Sequence, residues 1–304
     1  SKSNLYIIME KIDYSLLDEY NKLNASQYFG NWINDIDELN NKFVNNKPFK
    51  HIIIENFLND ELAEKISNEF PLDFDNNWHK YYNPLEVKYA KDNINDLSND
   101  IKKVFYLLST DEITNKIAQL SGIYNLNVDP YLHGAGLHAH PRYGRLNLHL
   151  DYEKHPYSGK QRRLNVILYL SKNWQSEWNG ATELWNDTVT ECCVKSPVVF
   201  NSAVIFQTNE ISYHGLPEKI LCPEGVYRKS LAYYYVSPLE SNPDISKFGS
   251  NLNGYRLKAS FVNRPSDSIE FKEKINKLND IRPHRLITNN DMNEHWPEWT
   301  PELF

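Results

Sequence analysis

The chain has 304 residues, of which 40% are hydrophobic and 24% charged, enough to bury a sizeable core in one or two domains. Its formal net charge of −7 argues against binding to a nucleic-acid backbone, which requires clustered Lys and Arg. The one basic run, residues 160–163, is expected to be a solvated loop. No apolar stretch approaches the roughly 20 residues that span a bilayer, so no membrane partner is expected.

The cysteines and the first residues bear on the cellular compartment. There are three cysteines, and two of them, Cys192 and Cys193, are adjacent. This spacing is typical neither of a disulfide framework nor of a zinc site, and it indicates reduced thiols. The opening stretch SKSNLYIIMEK has too short an apolar run for a secretory signal. We therefore expect a cytoplasmic protein.

Residues 1–120 are predicted to form a mainly helical jacket that belongs to the same domain as the rest. One strand is expected in this part, at about residues 48–57, in KPFKHIIIENFL. The following NDELAEKISNEFP predicts an amphipathic helix that is capped by Asn59 and ends before Pro71. A second helical stretch covers roughly 97–122 and breaks at Gly122.

From residue 121 to 237 the sequence changes to short β-rich runs divided by Gly, Pro, Asn and Asp, such as RLNLHLD, RRLNVILYLS, SAVIFQ and YRKSLAYYYVS. About eight runs at this spacing predict a barrel or jelly roll. Residues 238–304 read as a polar extension with one helix, in SDSIEFKEKINKLND, packed on the core. The expected fold class is mainly β with a helical jacket (α+β).

One predicted strand alternates strictly between polar residues and leucines over residues 145–151. We expect its leucines to pack on the helices, so that Arg145, Asn147, His149 and Asp151 face the barrel interior. An imidazole and a carboxylate two residues apart on one face point at the same spot, as two metal ligands must. His149 and Asp151 are therefore candidate metal ligands.

A third ligand should come from another strand, and His214 follows an apolar strand 63 residues after Asp151. Two histidines and one carboxylate form the facial triad of non-haem Fe(II) oxygenases, which leaves coordination positions open for oxygen activation. The alternative pair His138 and His140 would suit a cupin-like metal site, but we expect these two at the barrel mouth or in a substrate loop. His79 and His155 are expected in loops or at the surface.

A binding site for an acidic cosubstrate is predicted on the next strand. Fourteen residues after His214, the run YRKSLAYYYV places Arg228 and Ser230 on one face. A guanidinium can fork onto a carboxylate, and a hydroxyl beside it supplies a second donor.

Together these residues resemble a known family. The order of HLD, RRLNVILYLSKNW, NGATELW, a distal His and R-x-S is similar to the Fe(II)/2-oxoglutarate-dependent dioxygenases, particularly the prolyl-4-hydroxylase-like branch, over residues of about 48–237. The resemblance implies a double-stranded β-helix, with Fe(II), 2-oxoglutarate and O2 as cofactors and ascorbate as a supporting reductant. The iron ligands that it implies are His149, Asp151 and His214. The cosubstrate residues that it implies are Arg228, Ser230, Tyr169 and Asn165, with Ile167 on the same face.

The spacing departs from the family at one point, because the segment EKILCPEG lengthens the gap between His214 and Arg228. We interpret it as a loop insertion. Segments 81–93, 133–144 and 151–161 are expected to be mobile loops that flank the barrel mouth and select the substrate.

The resemblance implies hydroxylation of an unactivated C–H bond, with release of succinate and CO2, and the presence of Asp151 favours hydroxylation over halogenation. A prolyl or other peptidyl residue is the first candidate substrate. A free amino acid, a sugar or another small metabolite is the alternative. Two other classes remain open: a non-catalytic cupin-like metal-binding protein and a zinc hydrolase that uses two His and an Asp.

Overall fold

The computed structural model describes residues 9–239 and 256–303. The α-helices in these ranges are α1 (Tyr14–Asn21), α2 (Ile36–Asn45), α3 (Asp60–Glu69), α4 (Asn99–Ser109), α5 (Asp111–Ser121), α6 (Ile269–Ile281) and α7 (Asn289–His295). The strands are β1 (His51–Ile54), β2 (His79–Asn83), β3 (Glu86–Lys91), β4 (Asn127–Val128), β5 (Gly136–His140), β6 (Arg145–Leu150), β7 (Gln161–Tyr169), β8 (Thr182–Trp185), β9 (Cys192–Ser196), β10 (Ala203–Gln207), β11 (His214–Leu216), β12 (Arg228–Ser237) and β13 (Ser260–Phe261).

The strands form one antiparallel sheet that folds over into a nearly closed jelly roll. Its main path runs β1-β10-β7-β12-β5-β3-β6-β11-β8-β9. The strands β6, β11, β8 and β9 form the layer opposite β10, β7, β12 and β5, and the space between the layers is the interior of the barrel. This is the double-stranded β-helix that the sequence predicts.

The helices of the N-terminal part cover the outer face of the layer that contains β7, β10 and β12. Alternate residues of β7 show the division between its two faces: Leu164, Val166 and Leu168 are in one hydrophobic cluster with the helices, while Asn165 and Ile167 face the barrel interior. This alternation follows from the two-residue period of a strand. The predicted helical jacket is confirmed on this side of the sheet.

The predicted helix over residues 97–122 is two helices. Thr110 ends α4 and caps α5: its Oγ1 donates to the Leu107 carbonyl at 2.7 Å and accepts from the Ile113 amide at 3.3 Å. The second helix ends at Gly122, which has φ +75° as a left-handed C-cap requires. The apolar periodicity continues through the break, so it cannot reveal the change in helix direction.

Several elements were not predicted: α2, α7, the strand β13 and the hairpin β2–β3. The hairpin lies in segment 79–91, where a mobile loop was expected, and β3 pairs with both β5 and β6. The expectation of a loop over residues 81–93 is therefore wrong for most of the segment. Polar and aromatic residues obscure the two-residue alternation of a strand in this segment, because both faces of β3 contact other parts of the protein.

The C-terminal part packs against the layer that carries β6. Strand β13 pairs with β6, with Phe261 opposite His149, and α6 and α7 form a separate hydrophobic cluster with Leu85 and Val87 of the hairpin. The chain division at residues 120 and 237 stays a prediction. In the described ranges, no helix combines the length and the apolar character that crossing a membrane requires.

Candidate metal centre

Three side chains that lie far apart in the sequence converge inside the barrel. One ligand atom each from His149, Asp151 and His214 lies within 4.8 Å of the others, and all three residues are buried. The Nε2 atoms of both histidines are 3.4 Å from Asp151 Oδ1. The antiparallel pairing of His149 with His214 between β6 and β11 brings the two rings together, at a centroid distance of 4.3 Å.

Hydrogen bonds orient both imidazoles in the same way. The Nδ1 of His149 lies 2.8 Å from the Asn147 carbonyl, and the Nδ1 of His214 lies 2.7 Å from the Ser212 carbonyl. A carbonyl only accepts, so each Nδ1 carries the proton and each Nε2 keeps a lone pair directed at Asp151. This arrangement of backbone partners is common around metal-binding histidines.

The electrostatics keep the cluster in the protonation states that a metal needs. Burial would raise the pKa of Asp151, but the neighbouring His214, His149 and Arg162 hold it well below its usual range. Burial, with the neighbouring His214, lowers the pKa of His149. An ionised carboxylate beside a neutral imidazole is the state that binds a divalent cation.

The strand β6 does not place all four of its predicted polar residues inside. Its pairing with β11 slips by one residue between His149–His214 and Leu146–Leu216, and such a slip reverses the alternation beyond it. Leu146 therefore lines the interior cavity, and Arg145 does not. Arg145 lies under α6, with its guanidinium 5.1 Å from the Phe271 ring. The expectation that Arg145 and Asn147 face the interior is wrong for this reason.

A cavity of about 350 Å³ opens onto the three clustered residues, and we call it the active-site cavity. Arg228 and Ser230 of β12 both line it and are each 2% exposed. Arg228 donates through Nε to the Gly180 carbonyl and through Nη2 to Thr182 Oγ1 at 3.1 Å. The chain between Leu216 and Arg228 forms no strand. The extra residues of the lengthened gap therefore lie in a loop, and Arg228 still lines the cavity.

The other two predicted cosubstrate residues lie nearby but make different contacts. The Tyr169 hydroxyl donates to Thr182 Oγ1 at 2.6 Å and lies 3.1 Å from the Ser196 carbonyl oxygen, and the residue is not part of the cavity lining. Asn165 lines the cavity, but its Nδ2 donates to Asp151 Oδ2 at 3.0 Å. The structure therefore connects Tyr169 to the cavity through Thr182, and it connects Asn165 to the clustered carboxylate.

Two further expectations are wrong because strand pairing and burial override local polarity. The basic run is not a solvated loop: it enters β7, and Arg162 is 3% exposed, with its guanidinium 3.4 Å from the ring centroids of both Tyr152 and Tyr234. His155 is not at the surface: it is 1% exposed and lies 3.0 Å from the Asp129 carboxylate. The expectation for His79, whose side chain is 56% exposed, is confirmed.

Sequence reasoning missed several residues of the site. Arg256 donates through Nε to the Asp151 carbonyl at 3.0 Å, the Phe261 ring lies 5.2 Å from the His149 ring, and Lys88 lines the cavity from β3. No motif marks them, because they come from segments whose position on the barrel depends on tertiary packing. Only Thr182 had a signal, since it belongs to the NGATELW stretch.

The residues of the site fit the metal that the resemblance implies. Two imidazole nitrogens and one carboxylate oxygen form the donor set of non-haem Fe(II) oxygenases. The alternative pair does not form such a set in the described ranges: His138 and His140 line the cavity but belong to no cluster of three metal-binding side chains there.

Comparisons with known proteins agree with this donor set. Residues 135–236 match the 2OG-Fe(II) oxygenase superfamily. A prolyl hydroxylase from Trichoplax adhaerens, solved with a peptide fragment of the hypoxia inducible factor oxygen degradation domain, is 18% identical with a TM-score of 0.51, and the match covers 70% of this chain and 96% of that one. A prolyl-4-hydroxylase from Pseudomonas putida is 16% identical with a TM-score of 0.49, covering 66% and 99%.

A third solved structure, HygX from Streptomyces hygroscopicus with nickel, 2-oxoglutarate and hygromycin B bound, is 14% identical with a TM-score of 0.38, covering 62% of this chain and 82% of that one. No curated protein matches the chain. The Trichoplax adhaerens structure supports the fold, and the family match supports the chemistry. The family match spans β5 to β12, including all three clustered residues and Arg228. The chain is therefore an oxygenase that uses Fe(II), 2-oxoglutarate and O2, and its residues 135–236 are similar to the 2OG-Fe(II) oxygenase superfamily.

Proposed function

We propose that this enzyme hydroxylates an unactivated C–H bond of its substrate, with His149, Asp151 and His214 holding Fe(II) and Arg228 anchoring 2-oxoglutarate. The overall reaction converts substrate, 2-oxoglutarate and O2 into hydroxylated substrate, succinate and CO2. The observation that carries the proposal is the buried cluster of two oriented imidazoles and one carboxylate at the base of the active-site cavity.

The iron would supply oxygen activation, and the chain would supply geometry. The Asn147 and Ser212 carbonyls keep both Nε2 atoms directed at the metal position. Asn165 holds one oxygen of Asp151, which leaves the other for the metal. Arg256 fixes the backbone of Asp151 from outside the barrel. These contacts favour one ligand geometry before any metal arrives, as catalytic sites require.

Arg228 would bind the distal carboxylate of 2-oxoglutarate. Its contacts with Gly180 and Thr182 hold the guanidinium in place, and Ser230 lies on the same cavity face. In a buried site, a charge-assisted contact of this kind is stronger than a neutral hydrogen bond. Tyr169 would support the site indirectly, through Thr182.

We propose a peptidyl residue, prolyl in the first place, or a small metabolite as the substrate. The peptide bound by the Trichoplax adhaerens prolyl hydroxylase and the hygromycin B bound by HygX belong to those proteins. They illustrate both substrate types within this fold. We also propose a cytoplasmic location and no nucleic-acid partner, on the basis of the cysteines and the net charge of −7.

The test is a turnover assay over a panel of peptides, amino acids and sugars that reads both succinate and a substrate mass gain of one oxygen atom. Both signals should require Fe(II), 2-oxoglutarate and O2. His149→Ala should abolish them, while His138→Ala, the matched histidine on β5, should retain the metal dependence.

Two outcomes would contradict the proposal. Turnover that proceeds with zinc and without O2 would indicate the hydrolase alternative. Metal binding without any succinate, with or without panel substrates, would indicate the non-catalytic cupin-like alternative.

A further inference from the structure

The charged side chains that line the active-site cavity do not balance. The cavity is lined by two more basic side chains than acidic ones. The basic residues are Lys88, Arg162, Arg228, Lys258 and Arg282, and the acidic residues are Glu86, Asp92 and Asp151. Fe(II) would add two positive charges and 2-oxoglutarate two negative ones, so bound cofactors would leave the positive excess unchanged.

Most of these charges already have partners. Arg282 Nε lies 2.7 Å from Glu86 Oε1. Asp92 receives Lys11 at 2.8 Å and His79 at 3.3 Å. The Lys258 ammonium donates to the His284 carbonyl at 3.0 Å.

Arg162 is held by its own neighbours as well. It donates to the His133 carbonyl at 2.7 Å, and its Nη1 lies 3.8 Å from Asp151 Oδ2. Arg228 is assigned to the cosubstrate. One cation that lines the cavity then has no partner among the described residues.

That cation is Lys88, on strand β3. Among residues 9–239 and 256–303, its ammonium has no ion pair and no hydrogen bond. Its nearest ring is Tyr81, with the centroid at 5.4 Å. Burial lowers the pKa of Lys88, and the nearby Glu86 offsets only part of this shift. The Lys88 side chain is partly buried against the cavity that it lines, so an acidic group in the cavity could pair with its unpartnered charge.

The imidazoles next to Lys88 have ring nitrogens without hydrogen-bond partners in the described part of the chain. His138 and His140 line the cavity from β5, and Nε2 of His138 and both ring nitrogens of His140 are buried with no hydrogen bond. Burial and then Lys88 lower the pKa of His138 to about 3, and burial and then Arg228 lower the pKa of His140 well below its usual range. Both rings are therefore neutral near pH 7. The one proton of His138 is directed at the Gly134 carbonyl, so His140 is the imidazole that still offers an N–H to an acidic group.

Lys88 and Arg228 lie on opposite sides of His140. Arg228 of β12 pairs with His140 of β5. Lys88 lies on β3, the strand on the other side of β5. It is one residue from Tyr89, which pairs with Ala139 of β5. One carboxylate of 2-oxoglutarate would meet Arg228 and the other the metal. Lys88 then remains available for an acidic group of a different molecule.

Of the two substrate types named above, we propose the small metabolite, and we propose that it is an acid whose anionic group is bound by Lys88, with the His140 imidazole beside it as a further donor. This rests on the proposed function, since it names the substrate class of the same site. Size agrees with it, because about 350 Å³ must hold the cosubstrate as well, which places the cavity at the lower end of the range for ligand sites. The C-terminal part limits the cavity on this side through Lys258, Phe261 and Arg282.

The test measures how fast each lysine of the full-length protein reacts with two small aldehydes, anionic glyoxylate and neutral acetaldehyde, trapped by cyanoborohydride and located by mass spectrometry. The protein is loaded with Ni(II) and saturating 2-oxoglutarate, so that the cosubstrate position is filled. The exposed Lys50 serves as the internal control. An anion site should raise the glyoxylate-to-acetaldehyde ratio at Lys88 at least about tenfold above that at Lys50, because a positively charged cleft concentrates anions by about 10 to 10³.

Acetate at high concentration should suppress the labelling of Lys88, and acetamide should not. The proposal is overturned if Lys88 shows the same ratio as Lys50, or if neither aldehyde reaches it. It is also overturned if the preference exists only without 2-oxoglutarate, since Lys88 would then belong to the cosubstrate site. Failure of the proposed function has a separate signature: Ni(II) and 2-oxoglutarate would not raise the unfolding temperature, whatever the labelling ratio.

Discussion

At the scale of single residues, the site combines side chains that a motif identifies with side chains that only packing brings in. His149, Asp151 and His214 could be predicted because their chemistry and spacing are unusual for strands. The burial of Arg162 could not be predicted. A basic residue in a short polar run gives no sign in the sequence that two tyrosines enclose it in the fold. The same holds for His155, whose partner Asp129 comes from another segment.

The first prediction concerns the cosubstrate anchor. Arg228→Ala should raise the KM for 2-oxoglutarate on the order of 10²-fold, because it removes a charge-assisted, partly bidentate contact from a buried site. Steady-state succinate formation at varied 2-oxoglutarate measures this. The control is Lys229→Ala on the opposite face of β12, where the lysine lies near Phe70, and its KM should stay normal. An unchanged KM in Arg228→Ala would require another anchor in the cavity.

The second prediction separates Tyr169 from Arg228. Tyr169→Phe should raise the same KM by less than about tenfold, since it removes a neutral hydrogen bond worth about 1 kcal/mol that acts through Thr182. It should also lower the unfolding midpoint, because the hydroxyl bonds to Thr182 and Ser196 inside the core. A KM effect as large as that of Arg228→Ala, without loss of stability, would mean that Tyr169 contacts the cosubstrate directly.

At the scale of elements, amphipathic periodicity predicted α3 and α6, the two-residue period predicted β6, and β-rich runs between turn residues predicted β7, β10 and β12. Periodicity did not reveal the hairpin β2–β3, whose Lys, Tyr and Glu side chains face the cavity and the C-terminal part instead of a plain core. Nor did it reveal the slip in β6 that turns Arg145 outward. Register is a property of two paired strands, so one strand's pattern cannot determine it.

The third prediction concerns the junction of α4 and α5. Thr110→Ala should lower the free energy of unfolding by about 1 kcal/mol, because it removes the N-cap of α5. Urea denaturation measures the change, and Thr300→Ala at an exposed position should be neutral. If Thr110→Ala were as neutral as Thr300→Ala, the junction would not depend on this cap.

The fourth prediction concerns the pair that joins the C-terminal part to the hairpin. Arg282→Met should destabilise the protein by about 3–5 kcal/mol, because it leaves the Glu86 carboxylate buried without its partner. Adding Glu86→Gln should recover part of the loss. A double-mutant cycle in denaturant measures the coupling, with Lys22→Met at the exposed Lys22–Glu19 pair as a control of little effect. Additive losses would show that the pair does not hold the two parts together.

At the scale of the whole molecule, the site lies where three parts of the chain meet. The helical jacket supports the layer with Arg228, the β6 layer carries His149 and Asp151, and the C-terminal part adds β13 beside them. The jacket and the barrel could be predicted from composition and periodicity. The meeting of β13 with β6 could not, because a two-residue strand has no pattern of its own.

The last prediction follows from this arrangement, because a metal and a cosubstrate that bind only the assembled site must stabilise the whole fold. Each ligand at 100 times its Kd should add about 2.7 kcal/mol to the free energy of unfolding, which raises Tm by several degrees in a protein of this size. Ni(II) and 2-oxoglutarate, added singly and together in thermal scans, test this. Asp151→Ala should lose the metal effect, and Arg228→Ala should keep it while losing most of the 2-oxoglutarate effect. Nickel that stabilises Asp151→Ala as much as the parent protein would place the metal away from the three clustered residues.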